Sequence, residues 1–436
     1  MYIEKLSITN FRCFEKAELE LNYPGRRATK ARPVPEHLKN VNLFLGSNGS
    51  GKSSVFKALA LGVLAPVINS SGFQSDYLVR RRPEENHLNN GEGNSPKRSL
   101  TKGSAIVEAT LKLDSIDTDL KNLHVKGRTE IRRVGDVEDI SATSYTEEDT
   151  WERMFLNDSP AFFLAGYGAN RRTERPEGYS EQSRSPRYQR VAGLFEDHVG
   201  LVPVSYGYIQ LASIGYIEEA RSILNALLPD GTEILGSDGQ QPLFRRDGIV
   251  LPFSALSDGF RTFIGWVWDL LLQLARTYTR EGNLDTPIDY NSVIVKMLIS
   301  QRQRFIREHK LIDIPGVVIV DEIDLFLHPE WQRHVIESIA KTFPKIQFFF
   351  STHSPLVAGT LEPENIFVME SDGVEQYQEN IHGLTANQVL TSSYFGLSST
   401  RAPGTEMSEI TKLALSGKEA DRLEFARRMA EAIPSE

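Results

Sequence analysis

Gly46-Ser47-Asn48-Gly49-Ser50-Gly51-Lys52-Ser53 is the stretch of sequence that decides the fold. It matches G-x-x-x-x-G-K-[ST] at every fixed position, follows an apolar run over Val41–Leu45 and precedes an apolar stretch with helical spacing over 54–65. Glycines allow backbone N–H groups to turn inward around phosphate oxygens, Lys52 places a charge between phosphates, and Ser53 offers a hydroxyl to Mg²⁺. The sequence therefore predicts a phosphate-binding loop (residues 46–53) between a strand and a helix.

A second candidate site follows another apolar run. Gly316–Val320 is typical of a strand buried on both faces of a parallel sheet, and it ends in Asp321 and Glu322. Because carboxyl ends of parallel strands face the ligand crevice, this acidic pair is predicted beside the phosphate-binding loop. Asp321 is the candidate Mg²⁺ ligand, usually through water, and Glu322 the candidate base that polarises the attacking water.

Two further motifs lie in an informative order along the chain. Leu256-Ser257-Asp258-Gly259-Phe260, the signature segment, stands between the two sites and before an apolar helix predicted over 262–276. Alone, Ser257 would be read as a helix N-cap. His353 follows a buried strand predicted over 346–350, and a lone histidine at a strand end is usually structural. Four such elements in this order are not expected by coincidence.

In this order the sequence resembles the ABC-type ATPases, whose signature Leu-Ser-Gly-Gly-Gln and switch histidine occupy the places of the signature segment and His353. The resemblance implies that ATP lies between two copies of the chain. Ser257, Asp258 and Gly259 of one copy would face the γ-phosphate held by Lys52 of the other. Nucleotide would then control the geometry of a head-to-head dimer or a higher homo-oligomer.

The implied site takes ATP and Mg²⁺. Glu322 and His353 are its catalytic candidates, and Ser53 and Asp321 its metal ligands. The nucleotide-binding candidates are Arg12, Gly46, Ser47, Asn48, Gly49, Ser50, Gly51, Lys52, Ser53 and Ser54.

Three stretches narrow the subtype. Residues 6–12 resemble the first strand of SMC- and RecF-like ATPases, in which a basic residue at the place of Arg12 reaches the nucleotide. Residues 321–332 are similar to compact ATPases of the OLD-like and phage-defence groups. Residues 384–401 look like the C-terminal stretch of PtuA-type ATPase subunits of Septu and retron-associated anti-phage systems, which are encoded beside a small HNH endonuclease. This implies an HNH-type, PtuB-like nuclease as partner; a packing helix and loop is the alternative interpretation of the tail.

The sequence departs from the ABC-type pattern in several places. Asp258 replaces the first signature glycine, which places a carboxylate near a nucleotide and predicts slow hydrolysis. The sequence has no sustained heptad repeat of the kind that predicts a long coiled coil. It also has no His/Cys cluster of the kind that predicts a metal-dependent nuclease site. Gln74 is a weak candidate for the glutamine of the family's Q-loop.

Charge and cysteine content restrict partners and compartment. Lys+Arg 49 against Asp+Glu 58 gives a net charge of −9, so DNA contacts would need local basic patches. Segments 80–103 and 170–190 are such patches; their composition favours solvated loops, and DNA or partner contacts are the alternative. The single Cys13, the lack of a signal peptide and the lack of a bilayer-spanning apolar run predict a cytoplasmic chain without membrane contact.

The predicted fold class is α/β: an ABC-ATPase head with a mixed β lobe, a RecA-like parallel-sheet lobe and a helical insertion, without a long coiled coil. Strands are predicted within 1–23 and over 105–113, and helices over 214–228, 292–309 and 330–341. The predicted divisions are an N-terminal lobe with the phosphate-binding loop (1–113), an insertion or helical region with basic loops (114–250), a lobe carrying the signature, acidic pair and His353 (251–375), and a C-terminal tail as candidate partner-docking segment (376–436).

Three hypotheses for function remain open from the sequence. The leading one is an ATP-hydrolysing ABC-type protein that assembles through its heads and regulates a separately encoded nuclease in anti-phage defence. A RecF- or SMC-like repair ATPase that acts directly on DNA is the first alternative. A structural clamp stabilised by nucleotide, with incidental turnover, is the second.

Overall fold

The computed structural model describes residues 1–29, 33–68, 71, 73–81, 102–113, 124–144, 163–172, 186–279, 310–370, 373–400 and 419–432. The basic helix predicted over 292–309 lies outside the described residues, as do most of segments 80–103 and 170–190.

Within this part of the chain the strands are, in order, β1 (Tyr2–Phe11), β2 (Phe14–Glu20), β3 (Val41–Leu45), β4 (Lys102–Lys112), β5 (His124–Val134), β6 (Val137–Ser144), β7 (Leu164–Tyr167), β8 (Thr232–Ser237), β9 (Pro242–Arg246), β10 (Ile249–Pro252), β11 (Gly316–Val320), β12 (Ile346–Ser351), β13 (Ile366–Met369) and β14 (Val374–Glu375).

The α-helices are α1 (Lys52–Ile68), α2 (Pro186–Gln189), α3 (Val204–Ser213), α4 (Ile217–Leu227), α5 (Asp258–Thr279), α6 (Pro329–Gln332), α7 (Val335–Thr342), α8 (Pro355–Ala358), α9 (Ala386–Thr391) and α10 (Glu419–Ala432). Short 3₁₀ turns occupy Ala192–Leu194, Phe253–Ala255, Leu311–Asp313 and Pro363–Asn365.

A six-stranded sheet in the order β14-β13-β3-β12-β11-β7 carries both candidate sites. Its five strands from β13 to β7 are parallel, and β14 is an antiparallel edge strand. β3, β11 and β12 are buried along their whole length, as expected for strands covered on both faces. β3 and β11 lie on either side of β12, so the phosphate-binding loop and the acidic pair emerge at the same edge of the sheet. The predicted mixed α/β fold with a parallel-sheet lobe is confirmed.

The second large sheet is antiparallel, in the order β2-β1-β4-β5-β6. Helix α1 lies between the two sheets: Phe56 packs edge-on against Phe44 of β3, with ring centroids 5.5 Å apart, and Gly62 faces Ala109 of β4. A Cβ on Gly62 would approach the Ala109 Cβ to 2.8 Å, so glycine permits the close contact between helix and sheet. This packing fixes the start of α1, where Lys52 and Ser53 lie.

The described residues of 114–250 contain strands as well as the predicted helices. They include β5 to β9 and the start of β10, and β5 pairs with β4 over the whole of its length. The predicted division at residue 113 therefore falls between two paired strands, and the division at 250 falls within β10, which pairs with β9. β8, β9 and β10 form a separate three-stranded sheet.

Two predicted helices differ from the structure at their ends. The helix expected over 214–228 begins at Ile217, because Gly215 adopts a left-handed φ of +84° and separates α3 from α4. The helix expected over 330–341 is divided into α6 and α7. His334 has a φ of −122° and its N–H bonds back three residues to Trp331 O, which interrupts the helical ladder.

Candidate functional site

The phosphate-binding loop joins β3 to α1, which confirms the predicted strand, loop and helix. Gly49 and Gly51 adopt φ values of +80° and +106°, a region that other residues rarely occupy. A Cβ on Gly51 would come within 2.6 Å of Cys13 Sγ, so this glycine also lets the loop approach the turn between β1 and β2. Lys52 Nζ donates to the carbonyls of Gly46 at 2.7 Å and Ser47 at 3.0 Å, which holds the ammonium group under the loop.

The acidic pair meets the loop directly. Ser53 Oγ donates to Asp321 Oδ2 at 2.6 Å. Ser351 Oγ, at the end of β12, donates to the other oxygen, Asp321 Oδ1, and accepts from Glu322 N at 2.7 Å. One serine hydroxyl thus ties the side chain of Asp321 to the backbone of Glu322.

Glu322 is held in an unusual backbone conformation. Its φ of +49° is left-handed, which costs a non-glycine residue about 1–2 kcal/mol. Arg171 donates through Nη1 to Asp321 O and through Nη2 to Glu322 O, the latter at 2.8 Å. This two-point contact, with the Ser351 hydrogen bond, fixes the direction in which the Glu322 side chain leaves the backbone.

Arg171 is a site residue that the sequence did not reveal. It follows β7 and is only 7% exposed, although the segment in which it lies has the composition of a solvated loop. Burial lowers the pKa of Arg171 to about 10, and the carboxylates of Asp321, Glu322 and Asp324 oppose that shift.

Arg12 lies on the other side of the loop. Its Nε donates to Ser54 Oγ at 3.0 Å, and its backbone N–H donates to Leu78 O at 2.8 Å. Phe11 pairs with Val79, which brings the segment around Tyr77 and Arg81 against the turn between β1 and β2. Arg81 stacks on the Tyr77 ring with its guanidinium carbon 4.0 Å from the ring centroid.

These groups line a cleft of about 500 Å³ above the phosphate-binding loop (the loop cleft). Such a volume is typical of small-molecule sites. The predicted residues that line the loop cleft are Arg12, Asn48, Gly49, Gly51, Lys52, Ser53, Ser54, Asp321, Glu322 and His353. Tyr77 and Arg81 also line it and were not predicted, because neither belongs to a motif. The exposed Gln74 is not among the described lining residues.

The signature segment lies elsewhere on the surface. Ser257 and Asp258 are exposed, Asp258 pairs with Arg261, and none of the described residues that line the loop cleft comes from this segment. α5 begins at Asp258, so Ser257 occupies the N-cap position. Gly259 packs against the backbone just after the acidic pair: a Cβ there would meet Phe326 O at 2.3 Å.

His353 follows β12 and is exposed where it lines the loop cleft. Its neighbour Thr352 is buried and donates through Oγ1 to Asp324 Oδ1 at 2.5 Å. The turn that carries His353 is therefore fastened to the turn that follows the acidic pair.

Comparison with known protein families agrees with this arrangement. Residues 5–170 match a model described as "AAA domain", and residues 173–359 match one described as "AAA domain, putative AbiEii toxin, Type IV TA system". Together the two matches include the phosphate-binding loop, the acidic pair and His353. The Septu protein PtuA of Bacillus mycoides (strain KBAB4) is 24% identical over 421 residues, which is 95% of this chain and 48% of that protein. The chain therefore contains AAA-domain sequence over both matched ranges and resembles PtuA.

Two other proteins are similar to this chain. A retron Ec83 probable ATPase of Escherichia coli is 37% identical over 83 residues, 19% of this chain and 15% of that one. The chain thus spans about half the length of PtuA from Bacillus mycoides and less of the retron protein. The solved SMC head domain from Thermotoga maritima is 13% identical, with a TM-score of 0.40 over 87% of this chain and 100% of that one.

The donor set of the loop cleft fits a nucleotide with Mg²⁺. Ser50 Oγ is buried in the phosphate-binding loop and has no hydrogen-bond partner among the described residues, which suits a phosphate oxygen. Ser53 Oγ and Asp321 Oδ2 are oxygen ligands of the kind that Mg²⁺ prefers. Burial lowers the pKa of Lys52, while Asp321, Glu322 and Asp324 oppose the shift and favour the charged ammonium form. No described helix has the length and apolar character needed to cross a bilayer.

Proposed function

We propose that this chain binds and hydrolyses ATP with Mg²⁺ in a pocket that a second copy completes, and that its nucleotide state controls a separately encoded HNH-type nuclease in cytoplasmic anti-phage defence. The observation that carries the catalytic part is the contact of 2.6 Å between Ser53 Oγ and Asp321 Oδ2. It joins the phosphate-binding loop and the acidic pair in one cluster, with Glu322 held beside it by Arg171.

The predicted residues of the loop cleft have separate tasks in this proposal. Lys52 and the loop N–H groups bind the phosphates, and Arg12 contacts the nucleotide beside Ser54. Ser53 and Asp321 hold Mg²⁺. Glu322 orients the attacking water, and His353 contacts the γ-phosphate. When bound, ATP supplies the phosphoryl group that is transferred to water, and Mg²⁺ neutralises its charge.

The position of the signature segment supports a second copy. Ser257 and Asp258 face solvent rather than the loop cleft of their own chain. Phe326, whose carbonyl contacts Gly259, is 64% exposed, which is unusual for a large aromatic residue. An exposed phenylalanine beside an exposed signature serine is consistent with a face that another copy covers. Such a pairing would bring Ser257 to the partner's loop cleft.

The packing of the tail supports only part of the proposed docking of a nuclease. Val389 is fully buried, and Tyr394 is 5% exposed with its hydroxyl donating to Glu379 O at 2.9 Å. These residues belong to the core of the head, as the alternative interpretation of the tail predicts. The docking role is therefore proposed for the chain after residue 400.

A truncation that keeps this packing tests the partner. The chain ending at Thr400 and the full chain are each co-expressed with a small HNH endonuclease, the proposed partner. We expect both to bind ATP and only the full chain to co-purify with the nuclease. Co-purification with the truncated chain would contradict docking by the tail. No co-purification with either, together with tight and steeply salt-dependent DNA binding, would favour direct action on DNA.

A further inference from the structure

A second cavity is lined by Arg171, the residue that holds the carbonyls of Asp321 and Glu322. It has a volume of about 100 Å³, enough for about three waters at ~30 Å³ each or for one phosphate-sized group. We call it the arginine pocket, because Arg171, Arg190 and Arg276 all line it, with Asp269 as the acidic residue among its described lining.

The walls of the arginine pocket are held by backbone contacts. Gly166 N donates to Arg190 O at 2.8 Å, and Leu201 N donates to Arg172 O at 2.8 Å. Glycine at 168 is needed, since a Cβ there would meet Gly193 O at 2.2 Å. The cavity is therefore built by close backbone approach between β7 and the turn after α2, and its shape is fixed in advance of any ligand.

The charges in the pocket do not balance. Asp269 is 7% exposed, accepts from Tyr167 Oη at 2.9 Å and from Val202 N at 3.4 Å, and interacts with Arg276. Arg190 contacts Thr277 Oγ1 at 3.1 Å and the Phe163 ring at 5.3 Å, neither of which carries a charge. Among the described residues no carboxylate pairs with Arg190. Burial and the nearby Arg187 lower the pKa of Arg190 to about 9, and this partly buried cation stands at the wall of the pocket.

Arg171 adds a second unsatisfied group. Its Nη1 and Nη2 atoms are engaged by the acidic pair, but its Nε is buried and has no hydrogen-bond partner among the described residues. A buried guanidinium N–H without an acceptor is costly, and native structures rarely leave one unpaired.

We propose that the arginine pocket binds a phosphate-type oxyanion, held by Arg190 and Arg171. A tetrahedral oxyanion offers acceptors to several guanidinium groups at once and neutralises the excess charge. Since Arg171 also holds the carbonyls of Asp321 and Glu322, the anion stiffens the backbone of the acidic pair. That coupling matters for turnover only if the proposed function is right; the binding itself does not depend on it.

Titration of the Lys52→Ala full chain with inorganic phosphate, at constant ionic strength with chloride, isolates this pocket from the loop cleft. We expect phosphate to bind, with an affinity that Arg190→Gln in the same background weakens by about 10- to 100-fold, the scale of losing one charged hydrogen bond. Arg190→Lys, which keeps the charge, should bind phosphate with an affinity between that of Lys52→Ala alone and that of Lys52→Ala with Arg190→Gln. Arg132→Gln, an exposed arginine on β5, is the matched control and should change nothing.

Two results would overturn the site. The first is that Lys52→Ala binds neither free phosphate nor a nucleoside monophosphate. The second is that Arg190→Gln and Arg132→Gln, each in the Lys52→Ala background, bind phosphate with equal affinity. Binding of the nucleoside monophosphate alone, with the same dependence on Arg190, would identify an esterified phosphate as the ligand. If Arg190→Gln does not fold, phenylglyoxal labelling of Lys52→Ala gives the answer. Phosphate should slow modification of Arg190 and not of Arg132, and equal rates would contradict the proposal.

Hydrogen exchange tests the coupling without ATP turnover. In Lys52→Ala, phosphate should slow exchange of the Glu322 amide, whose acceptor is Ser351 Oγ. Unchanged exchange with phosphate bound would refute the coupling and leave the site standing. Neither result depends on whether the wild-type chain hydrolyses ATP, so failure here is distinguishable from failure of the proposed function.

Discussion

Lys52 is 6% exposed, and its ammonium group is held under the phosphate-binding loop by two carbonyls of that loop. Lys52→Ala removes the positive charge that would face the phosphates. We expect nucleotide binding, measured by calorimetry, to be lost. Lys16→Ala, at an exposed lysine on β2, is the control and should bind normally. Unchanged ATP affinity in Lys52→Ala would refute the assignment of the loop.

Glu322 combines a left-handed backbone with two external contacts, an arrangement that is maintained only where its surroundings determine it. Glu322→Gln keeps the shape and removes the base. It should bind ATP yet turn over at least ~100-fold more slowly, the usual scale of losing general-base help. Phosphate release measures this, with the exposed Glu330→Gln as control. Normal turnover in Glu322→Gln would remove its role and favour a clamp with incidental hydrolysis.

At the scale of residues, the sequence points to side chains that belong to a motif and gives no signal for those that only burial brings to the site. Gly46 to Ser53, Asp321 and Glu322 were predicted, because phosphate binding restricts residue type and spacing. Arg171 and Arg190 were not, because both lie in a basic, proline- and glycine-rich segment that has the composition of a solvated loop. In the structure one of these arginines is buried and the other partly buried. Composition does not reveal which charged side chains a fold encloses.

At the scale of elements, α5 and the turn after the acidic pair form one unit. Gly259 lies against Phe326 O, and Phe263 packs on Trp331 of α6 with ring centroids 4.5 Å apart. A shift of the acidic pair would therefore be passed to the signature segment of the same chain. This is the link that nucleotide control of assembly requires.

Substitution of Gly259 tests this contact. In Gly259→Ala the new Cβ would lie 2.3 Å from Phe326 O, so α5 must move. We expect a loss of about 1–3 kcal/mol in the free energy of unfolding, measured by urea denaturation. Gly373→Ala is the matched control, since a Cβ there has nothing within 4 Å. Equal stability of the two variants would contradict the close approach.

One strand that the sequence missed, β5, has polar residues at buried positions. The buried positions of β5 include Gly127, Thr129 and Arg133 as well as Val125 and Ile131, so its apolar alternation is concealed. The β5–β6 hairpin turns through Gly135 with a φ of +64°, a signal that could have been read from Gly135-Asp136. The buried parallel strands β3, β11 and β12 were predicted because continuous apolar runs identify them.

At the scale of the whole molecule, buried amide side chains of the parallel sheet, among them Asn42 and Gln347, bond to the backbone of the antiparallel sheet and the chain that follows β2. Gln347 on β12 is 0% exposed; it accepts from Ile3 N at 2.7 Å and donates to Ile3 O and Asn22 O, each at 2.8 Å. These contacts connect the start of β1 to the parallel sheet. They are invisible in the sequence, since the partners lie more than 300 residues apart.

Gln347→Leu removes the side-chain partner of Ile3 N and Ile3 O, whereas Asn22 O keeps Asn42 Nδ2 at 2.9 Å. At about 1–3 kcal/mol for each of the two unsatisfied groups, we expect the free energy of unfolding to fall by about 2 kcal/mol or more. Chemical denaturation measures the change. Gln240→Leu, at an exposed position, should stay within about 0.5 kcal/mol of wild type. An equally small effect of Gln347→Leu would contradict a stabilising role of these hydrogen bonds.

The central claim is that two copies share each ATP, and mixing two inactive variants tests it most directly. Ser257→Arg keeps an intact phosphate-binding loop and blocks the exposed signature segment. Lys52→Ala keeps the signature segment and disables the phosphate-binding loop. Each variant alone should show no ATP turnover, and an equimolar mixture should recover it, because a mixed pair contains one complete pocket. Normal turnover by Ser257→Arg alone, or a mixture that stays inactive, would contradict the claim.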